Sequence, residues 1–377
     1  IAEQLHCLFQ LTRLGETGIR LRNFIYTLVE DALLGIFPDG ECLLFGSSCN
    51  GLGRIGSDAD AVFILHKQSA NIKNRTIYHE GSVSRSVGGR LVLLELIGDL
   101  LRHFVPHISG VVKIRHARVP IVKFKHDATG IIADISTNKT ASVRMSQLIW
   151  TYCQLDSRLA PLFFFVRHYG SVANICVEKS TSCFTSFQLL MLVIYFLQTR
   201  KPPILPPIQT LRDLAEHPLK LNDGVDCSLV EDWRKVAPST NTSSLDELLP
   251  EFFEYFEKFD FAKSAICLEN ASAYSKPDTS PVFLNNPYEL NHNICRNVGH
   301  KQLLVLKDAF REALYRLDCG LSERTDSSQF GILALLFPNG KAVPERIDTT
   351  FIQSLFSETS NLDAADSRII FNKSGVK

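Results

Sequence analysis

Residues 45–65 read Phe45-Gly46-Ser47-Ser48-Cys49-Asn50-Gly51-Leu52-Gly53-Arg54-Ile55-Gly56-Ser57-Asp58-Ala59-Asp60-Ala61-Val62-Phe63-Ile64-Leu65. Two features decide the reading: the Gly46-Ser47 turn, and an Asp-x-Asp pair that opens an apolar run eleven residues after Ser47. In a strand, residues two apart share a face with Cα atoms about 6.6 Å apart, so Asp58 and Asp60 project together. Paired hard oxygen donors suit a divalent cation such as Mg²⁺, which fills its remaining positions with water and substrate phosphates. The Gly46-Ser47 turn offers backbone N–H groups and a hydroxyl to an anion. Asp-x-Asp pairs also cap turns or face solvent, and the pair alone leaves that open. The same stretch matches Gly-x-Gly-x-x-Gly at Gly51, Gly53 and Gly56. A dinucleotide site needs a helix directly after those glycines, and here a strand-like segment follows. No Gly-Lys-Ser/Thr completes a Walker loop either.

A third carboxylate lies in Gly130-Ile131-Ile132-Ala133-Asp134-Ile135-Ser136, a separate strand-like run. A carboxylate flanked by such residues is costly to bury without a cation or a hydrogen-bond partner. Two cations about 3.5–4 Å apart serve phosphoryl transfer, one lowering the pKa of an attacking hydroxyl and the other neutralising the leaving group. Asp58, Asp60 and Asp134 are therefore the candidate metal ligands and catalytic residues.

Apolar spacing predicts helix over residues 1–36, a turn at Phe37-Pro38-Asp39-Gly40, strands over 41–45 and 58–65, a helix over 91–104, and short strands at 111–114, 121–124 and 131–135. From residue 146 the pattern is helical, with candidates at 146–154, 158–173, 184–199, 243–260 and 300–318. Lys201–Pro207 reads as a stiff Pro-rich connector. The expected class is α+β: a mixed sheet with helices over 18–145, a mainly helical domain from 1–17 together with 146–340, and a polar tail over 341–377.

The 377 residues are 45% hydrophobic and 21% charged, enough to bury a sizeable core in two domains. Forty Lys+Arg balance forty Asp+Glu, which excludes a polycation of the histone kind but not an enzyme with a local basic groove. The longest unbroken apolar run, Leu189–Leu197, is nine residues, against about twenty for a membrane helix, so no membrane partner is expected. Ten scattered cysteines without a Cys-x-x-Cys pair read as reduced thiols in an intracellular compartment. Starting at Ile1 rather than Met, the sequence reads as a trimmed chain in which a targeting segment would not be seen. Between Val111 and His126, Lys113, Arg115, Arg118, Lys123 and Lys125 occur with no acid among them. Such a run is either a solvated strand face or an RNA-backbone track, with Lys113, Arg115 and Lys123 as the candidate contacts.

At Gly46-Ser47, Asp58/Asp60 and Asp134 the sequence resembles the polymerase-β-like nucleotidyltransferases, specifically the template-independent RNA-tailing enzymes. Ser186-Phe187-Gln188 at the head of an apolar helix resembles that family's nucleotide-contacting segment, and Asn286–Ile294 with Asn297-Val298 its nucleotide-recognition motif. Longer stretches, among them Leu155–Arg158, Glu251–Phe256 and Lys276–Pro281, are similar to the mitochondrial poly(A) polymerase branch.

The resemblance implies a palm plus helical-domain fold, Mg²⁺ or Mn²⁺ on the three acids, and addition of AMP from ATP to an RNA 3′ end with release of pyrophosphate. It places Gly46, Ser47, Arg167 and Ser186 at the triphosphate, Phe187 under the base, and Asn286, Glu289 and His292 at the base edge. It also implies a mitochondrial location and a homodimer. The N-terminal RNA-recognition-like domain that supports dimers in that branch is not read here, as expected of a trimmed chain. Asn286 stands where the motif begins with an acid, and Lys139, beside Asn138, where many members carry a second Asn. His292 stands where uridylyl-preferring members carry a His, which keeps uridylyl transfer or relaxed use of other NTPs open as an alternative. A non-catalytic RNA-binding scaffold is the second alternative.

Overall fold

The structure is a computed structural model that describes residues 1–65, 87–117, 119–137, 141–177, 181–221 and 224–322. The expectations for Arg118, Asn138, Lys139 and the 341–377 tail lie outside the described residues.

The chain opens with α1 (Ala2–Thr12) and α2 (Glu16–Leu34) rather than with one helix. The break has a cause that lies far along the sequence. The glycine loop docks against it: Leu14 N–H donates to the Gly53 carbonyl at 2.7 Å, and Ile55 N–H donates to that of Thr12 at 3.0 Å. Gly53 is required here, since a Cβ would sit 2.4 Å from the Ser47 carbonyl oxygen.

After α2 come β1 (Gly40–Phe45), a single 3₁₀ turn over Gly46–Ser48, and β2 (Ala59–Leu65). Then follow α3 (Val87–Phe104), β3 (Ile108–Ile114), β4 (Ile121–His126) and β5 (Ile132–Ser136). These strands form one mixed sheet of order β1-β2-β5-β4-β3, with β2 and β5 parallel and the other pairs antiparallel. One face carries Ala59, Ala61, Phe63, Val122, Phe124, Ala133 and Ile135, all packed on Ile25, Tyr26, Val29 and Leu33 of α2 and on Leu94, Ile97 and Leu101 of α3. Because side chains alternate along a strand, the residues between these point away from that core.

A second, larger core lies in the helical part: α4 (Ala141–Leu155), α5 (Leu159–Val172), α6 (Ser186–Gln198), the short α7 (Ile208–Asp213), α8 (Leu245–Lys258) and α9 (His300–Ser322). Helix α6 is buried on every side from Gln188 to Gln198, the only stable place for a helix that is apolar all round. Phe252, Phe253 and Phe256 of α8 and Phe310 of α9 pack in the same core in edge-on and tilted ring pairs. Leu5 and Leu8 of α1 belong to this core while α2 belongs to the other, so the break at Arg13–Gly15 is where the chain passes between them.

The connector Lys201–Pro207 is not a free spacer. Ile204 and Leu205 are buried, and Ile204 N–H donates to the Leu197 carbonyl at 2.9 Å. The sequence reading also missed a hairpin, β6 (Ser264–Cys267) with β7 (Ser272–Ser275). The nine cysteines whose side chains are described are free thiols, and among the described residues no helix is long and apolar enough to cross a membrane.

Candidate active site

Strand alternation assembles the acids. Asp60 on β2 is the parallel neighbour of Asp134 on β5, and Lys123 on β4 is the antiparallel neighbour of Asp134. All three side chains, with Asp58 one step ahead of β2, lie on the sheet face opposite the apolar core. The strands are fixed from beneath: the Tyr26 hydroxyl sits 2.7 Å from the Ala59 carbonyl oxygen and 2.9 Å from that of Asp134. The buried Arg22 donates to the carbonyls of Gly18 and Ser57, which pins the residue just before Asp58.

The electrostatics are unbalanced. Lys123 Nζ donates to Asp58 Oδ2 at 2.8 Å and to Asp134 Oδ2 at 3.2 Å. Asp134 Oδ1 is buried with no hydrogen-bond partner. Burial, then the charges of Asp134 and Asp58, push the Asp60 carboxyl up to about 7, against opposing pulls from Lys123 and Arg22. Burial likewise raises Asp134, with Lys123 opposing. Burial alone would lower Lys123, but its hydrogen bond to Asp58 and the charge of Asp134 outweigh that and hold it above its ordinary value.

Three crowded carboxylates, one with an orphaned buried oxygen, are the donor set a hard divalent cation takes. They do not form a closed cage, since their oxygens do not all lie within 4.8 Å of one another. The donor set fits an ion that keeps water and phosphate ligands. Among the described residues, Glu216, His217 and Glu231 do approach that closely. They are on the surface, with His217 already 2.8 Å from Glu231 and Glu216 paired to Lys235.

Gly46 links the acids to a cavity. It has φ +67°, and a Cβ there would come within 3.2 Å of Asp60 Oδ2, so glycine serves both the turn and the close approach. Its N–H donates to Ser146 Oγ at 2.7 Å, which ties the turn to α4. The adjoining cavity, about 390 Å³, is lined by Gly46, Ser47, Arg167, Ser186, Phe187, Asn286 and Glu289 among others. Seven of the eight residues assigned to the nucleotide by resemblance thus meet on one cavity.

The eighth, His292, does not line it. Its backbone closes the recognition turn instead, donating to the Glu289 carbonyl at 2.7 Å and accepting from Asn286 N–H at 2.8 Å. A larger cleft, about 760 Å³, opens beside Arg200 and Glu251. None of these residues lines it, and its Arg200 is already paired with Glu251 at 3.1 Å.

Arg167 is the cavity's notable charge. Its guanidinium lies over Phe164, 4.4 Å from the ring centroid, and donates through Nη1 to the Leu52 carbonyl at 3.2 Å. Nη2 is buried with no partner. Burial, with like charge from Arg54, brings its pKa down to about 10. A half-satisfied cation beside a hydroxyl-lined cavity is a ready anion site.

On the other wall, Thr185 and Gln188 form a capping box at the head of α6. Gln188 Nε2 also donates to Asn297 Oδ1 at 2.6 Å and to the Ile294 carbonyl at 2.7 Å, docking the recognition turn beside Ser186 and Phe187. Asn286 Oδ1 accepts from Tyr288 N–H at 2.9 Å, shaping that turn.

The three cations read as an RNA track are paired differently. Lys113 joins Glu95 and Asp99 of α3 at 3.0 and 2.7 Å, Arg115 joins Glu95, and Lys123 sits among the acids. The sequence reading gave no role of their own to Arg22, Ser146 and Tyr288. Strand alternation around Val122 and Phe124 could have placed Lys123 beside Asp134, given the β4–β5 register.

The family model for "Poly(A) RNA polymerase, mitochondrial-like, central palm domain" matches residues 1–154. The mitochondrial poly(A) RNA polymerase of Homo sapiens is 36% identical over 349 residues, an alignment that takes in 90% of this chain and 60% of that protein. The chain therefore spans about 60% of the length of that relative. The crystal structure of mtPAP in complex with ATPγS superposes with a TM-score of 0.81 at 34% identity, over 89% of this chain and 72% of that one. Structures of mtPAP with GTP, UTP and CTP match equally well. The Cid1 poly(U) polymerase, at 22% identity and a TM-score of 0.71, covers 89% of this chain and 97% of its own, and shares the fold.

Proposed function

Because the chain belongs to the mitochondrial poly(A) RNA polymerase-like family, we propose that it adds AMP from ATP to RNA 3′ ends without a template, releasing pyrophosphate. The observation that carries this reading is the junction at Gly46 between three carboxylates on one sheet face and a cavity walled by Arg167, Ser47, Ser186, Phe187, Asn286 and Glu289. In the reaction the RNA 3′ oxygen bonds to the α-phosphorus of ATP, the bond to the β-phosphate breaks, and the proton of the 3′ hydroxyl is lost. Asp58, Asp60 and Asp134 would hold Mg²⁺ or Mn²⁺, which supplies neutralisation of charge on the attacking and leaving oxygens. Arg167 and the hydroxyls of Ser47 and Ser186 take the triphosphate. Phe187 supports the base, and Asn286 and Glu289 meet its edge. Catalysis of this kind is mainly positioning and charge complementarity.

The two cores support a palm over 18–145 and a helical domain of 1–17 with 146–340 as the two working parts. The mitochondrial compartment follows the name of the relatives. Assembly as a homodimer belongs to the same reading.

The test is extension of a labelled RNA with each NTP supplied alone. ATP is expected to give the longest products. Exclusive use of UTP would overturn the assignment. Comparable use of all four, which the mtPAP complexes with GTP, UTP and CTP make a specific alternative, would replace adenylyl preference with relaxed choice.

A further inference from the structure

We propose that Lys123 is a built-in counter-ion that holds the place of a divalent cation between Asp58 and Asp134 until metal arrives, and so sets how tightly the protein takes up metal. The inference rests on the metal-dependent reading above and adds to it a residue that works against the metal.

The geometry points this way from three sides. Lys123 faces Asp134 across the β4–β5 ladder, so its stem starts beside the acids by register and not by chance of rotamer. Its ammonium touches both Asp58 Oδ2 and Asp134 Oδ2, oxygens of two of the carboxylates that would hold the cation. Yet it leaves the cluster unfinished: Asp134 Oδ1 stays without a partner, and Asp60 makes no ion pair among the described residues. One ammonium in contact with two of the three carboxylates, with only the charge of Arg22 besides, holds the strands together but does not neutralise them. A metal ion on those oxygens would sit a few ångströms from the ammonium, and the two like charges repel. Loading therefore works against Lys123, and its flexible four-carbon stem, about a third exposed, has solvent to move into. In the metal-free protein the same residue prevents Asp58 and Asp134 from repelling each other across two strands.

The experiment uses the full chain as wild type, Lys123→Met and Lys123→Arg, and measures Mn²⁺ binding without nucleotide by electron paramagnetic resonance. Thermal unfolding is followed in EDTA and in saturating Mn²⁺. Removing a unit charge a few ångströms from the binding oxygens is expected to tighten Mn²⁺ binding about tenfold in Lys123→Met. Lys123→Arg keeps the charge and should stay within about threefold of wild type by the same reasoning. In EDTA, Lys123→Met should melt below wild type, and the gap should close in Mn²⁺, which a merely structural lysine would not produce. Equal Mn²⁺ affinity in wild type and Lys123→Met, or a melting gap that Mn²⁺ leaves unchanged, overturns the inference while the metal reading stands. Failure of both proteins to bind Mn²⁺ overturns the two together.

Discussion

The palm wall beside the cavity and the helical wall that lines it are built on different principles. The palm wall places charge on rigid strands: Asp60, Asp134 and Lys123 sit at neighbouring ladder positions, and the reverse faces of those strands are locked in an apolar core. The helical wall contributes Ser186, Phe187 and Asn286, from segments one hundred residues apart, together with the charged Arg167 and Glu289. It is joined by side-chain hydrogen bonds from Gln188 and Asn297. The palm wall gathers the crowded carboxylates, and the helical wall carries the shape together with the half-satisfied Arg167. On the proposed reading, chemistry and nucleotide choice can therefore change separately, since the strand ladder does not include Phe187.

The strongest way to break this division is Asp134→Asn. The substitution keeps the shape and the β2–β5 pairing and removes one charge. We expect kcat for RNA extension to fall at least about 10³-fold, on the order of 4 kcal/mol in the barrier. ATP binding to the helical wall should stay within about threefold of wild type, because the lost interaction belongs to the transition state. Single-turnover extension and equilibrium ATP binding measure the two. An enzyme that kept a tenth of its rate would mean that the palm acids are structural.

The next effect is on stability. The folded state holds the Asp60 carboxyl up to about 7, well above the value of 3.8 for a free carboxylate. Between those values the native protein keeps a proton that the unfolded chain has released. This contribution is thus fully present below about pH 4 and is lost as pH rises through about 7. In EDTA, Asp60→Asn should gain on wild type as pH rises from 5 to 8, by about 2–4 kcal/mol in all. Denaturant titrations at the two pH values read the difference directly. A gap that stays constant between them would show that Asp60 is not strained by its neighbours.

Much of the palm wall was legible because a period of two is a local rule. Asp58-Ala59-Asp60 and Ala133-Asp134-Ile135 announce which face each acid takes, and the apolar run Leu189–Leu197 announces a central helix. What sequence could not show depends on pairing across distance. Residues 1–36 carry helical spacing throughout, yet the helix breaks because a loop forty residues away supplies backbone partners at Leu14 and Thr12. The charge run from Lys113 to Lys125 looked uniform. The β3–β4 pairing and the position of α3 then send Lys113 and Arg115 to Glu95 and Asp99 and leave Lys123 beside Asp58 and Asp134. The spacing of the helical wall foretold its helices but not which of their residues would meet at one cavity. Resemblance located them, and the Gln188–Asn297 contact gives the physical reason they meet.

Phe187 supplies the smallest and most selective comparison. It is half-buried, with one side against the helical core and the other on the cavity, so it can support a base without a hydrogen-bond requirement. Stacking on an aromatic ring is worth about 1–3 kcal/mol per base, and part of that is kept by contact with neighbouring apolar groups. Phe187→Ala should therefore raise KM for ATP about 5- to 30-fold and leave kcat within about threefold, the signature of binding energy shared by ground and transition states. Phe187→Tyr keeps the ring and should restore KM. The palm wall is untouched by either change, so the rate of the chemical step at saturating ATP is the control. If kcat fell while KM held, Phe187 would be aligning the triphosphate for attack, and the separation of chemistry from recognition would fail at this residue.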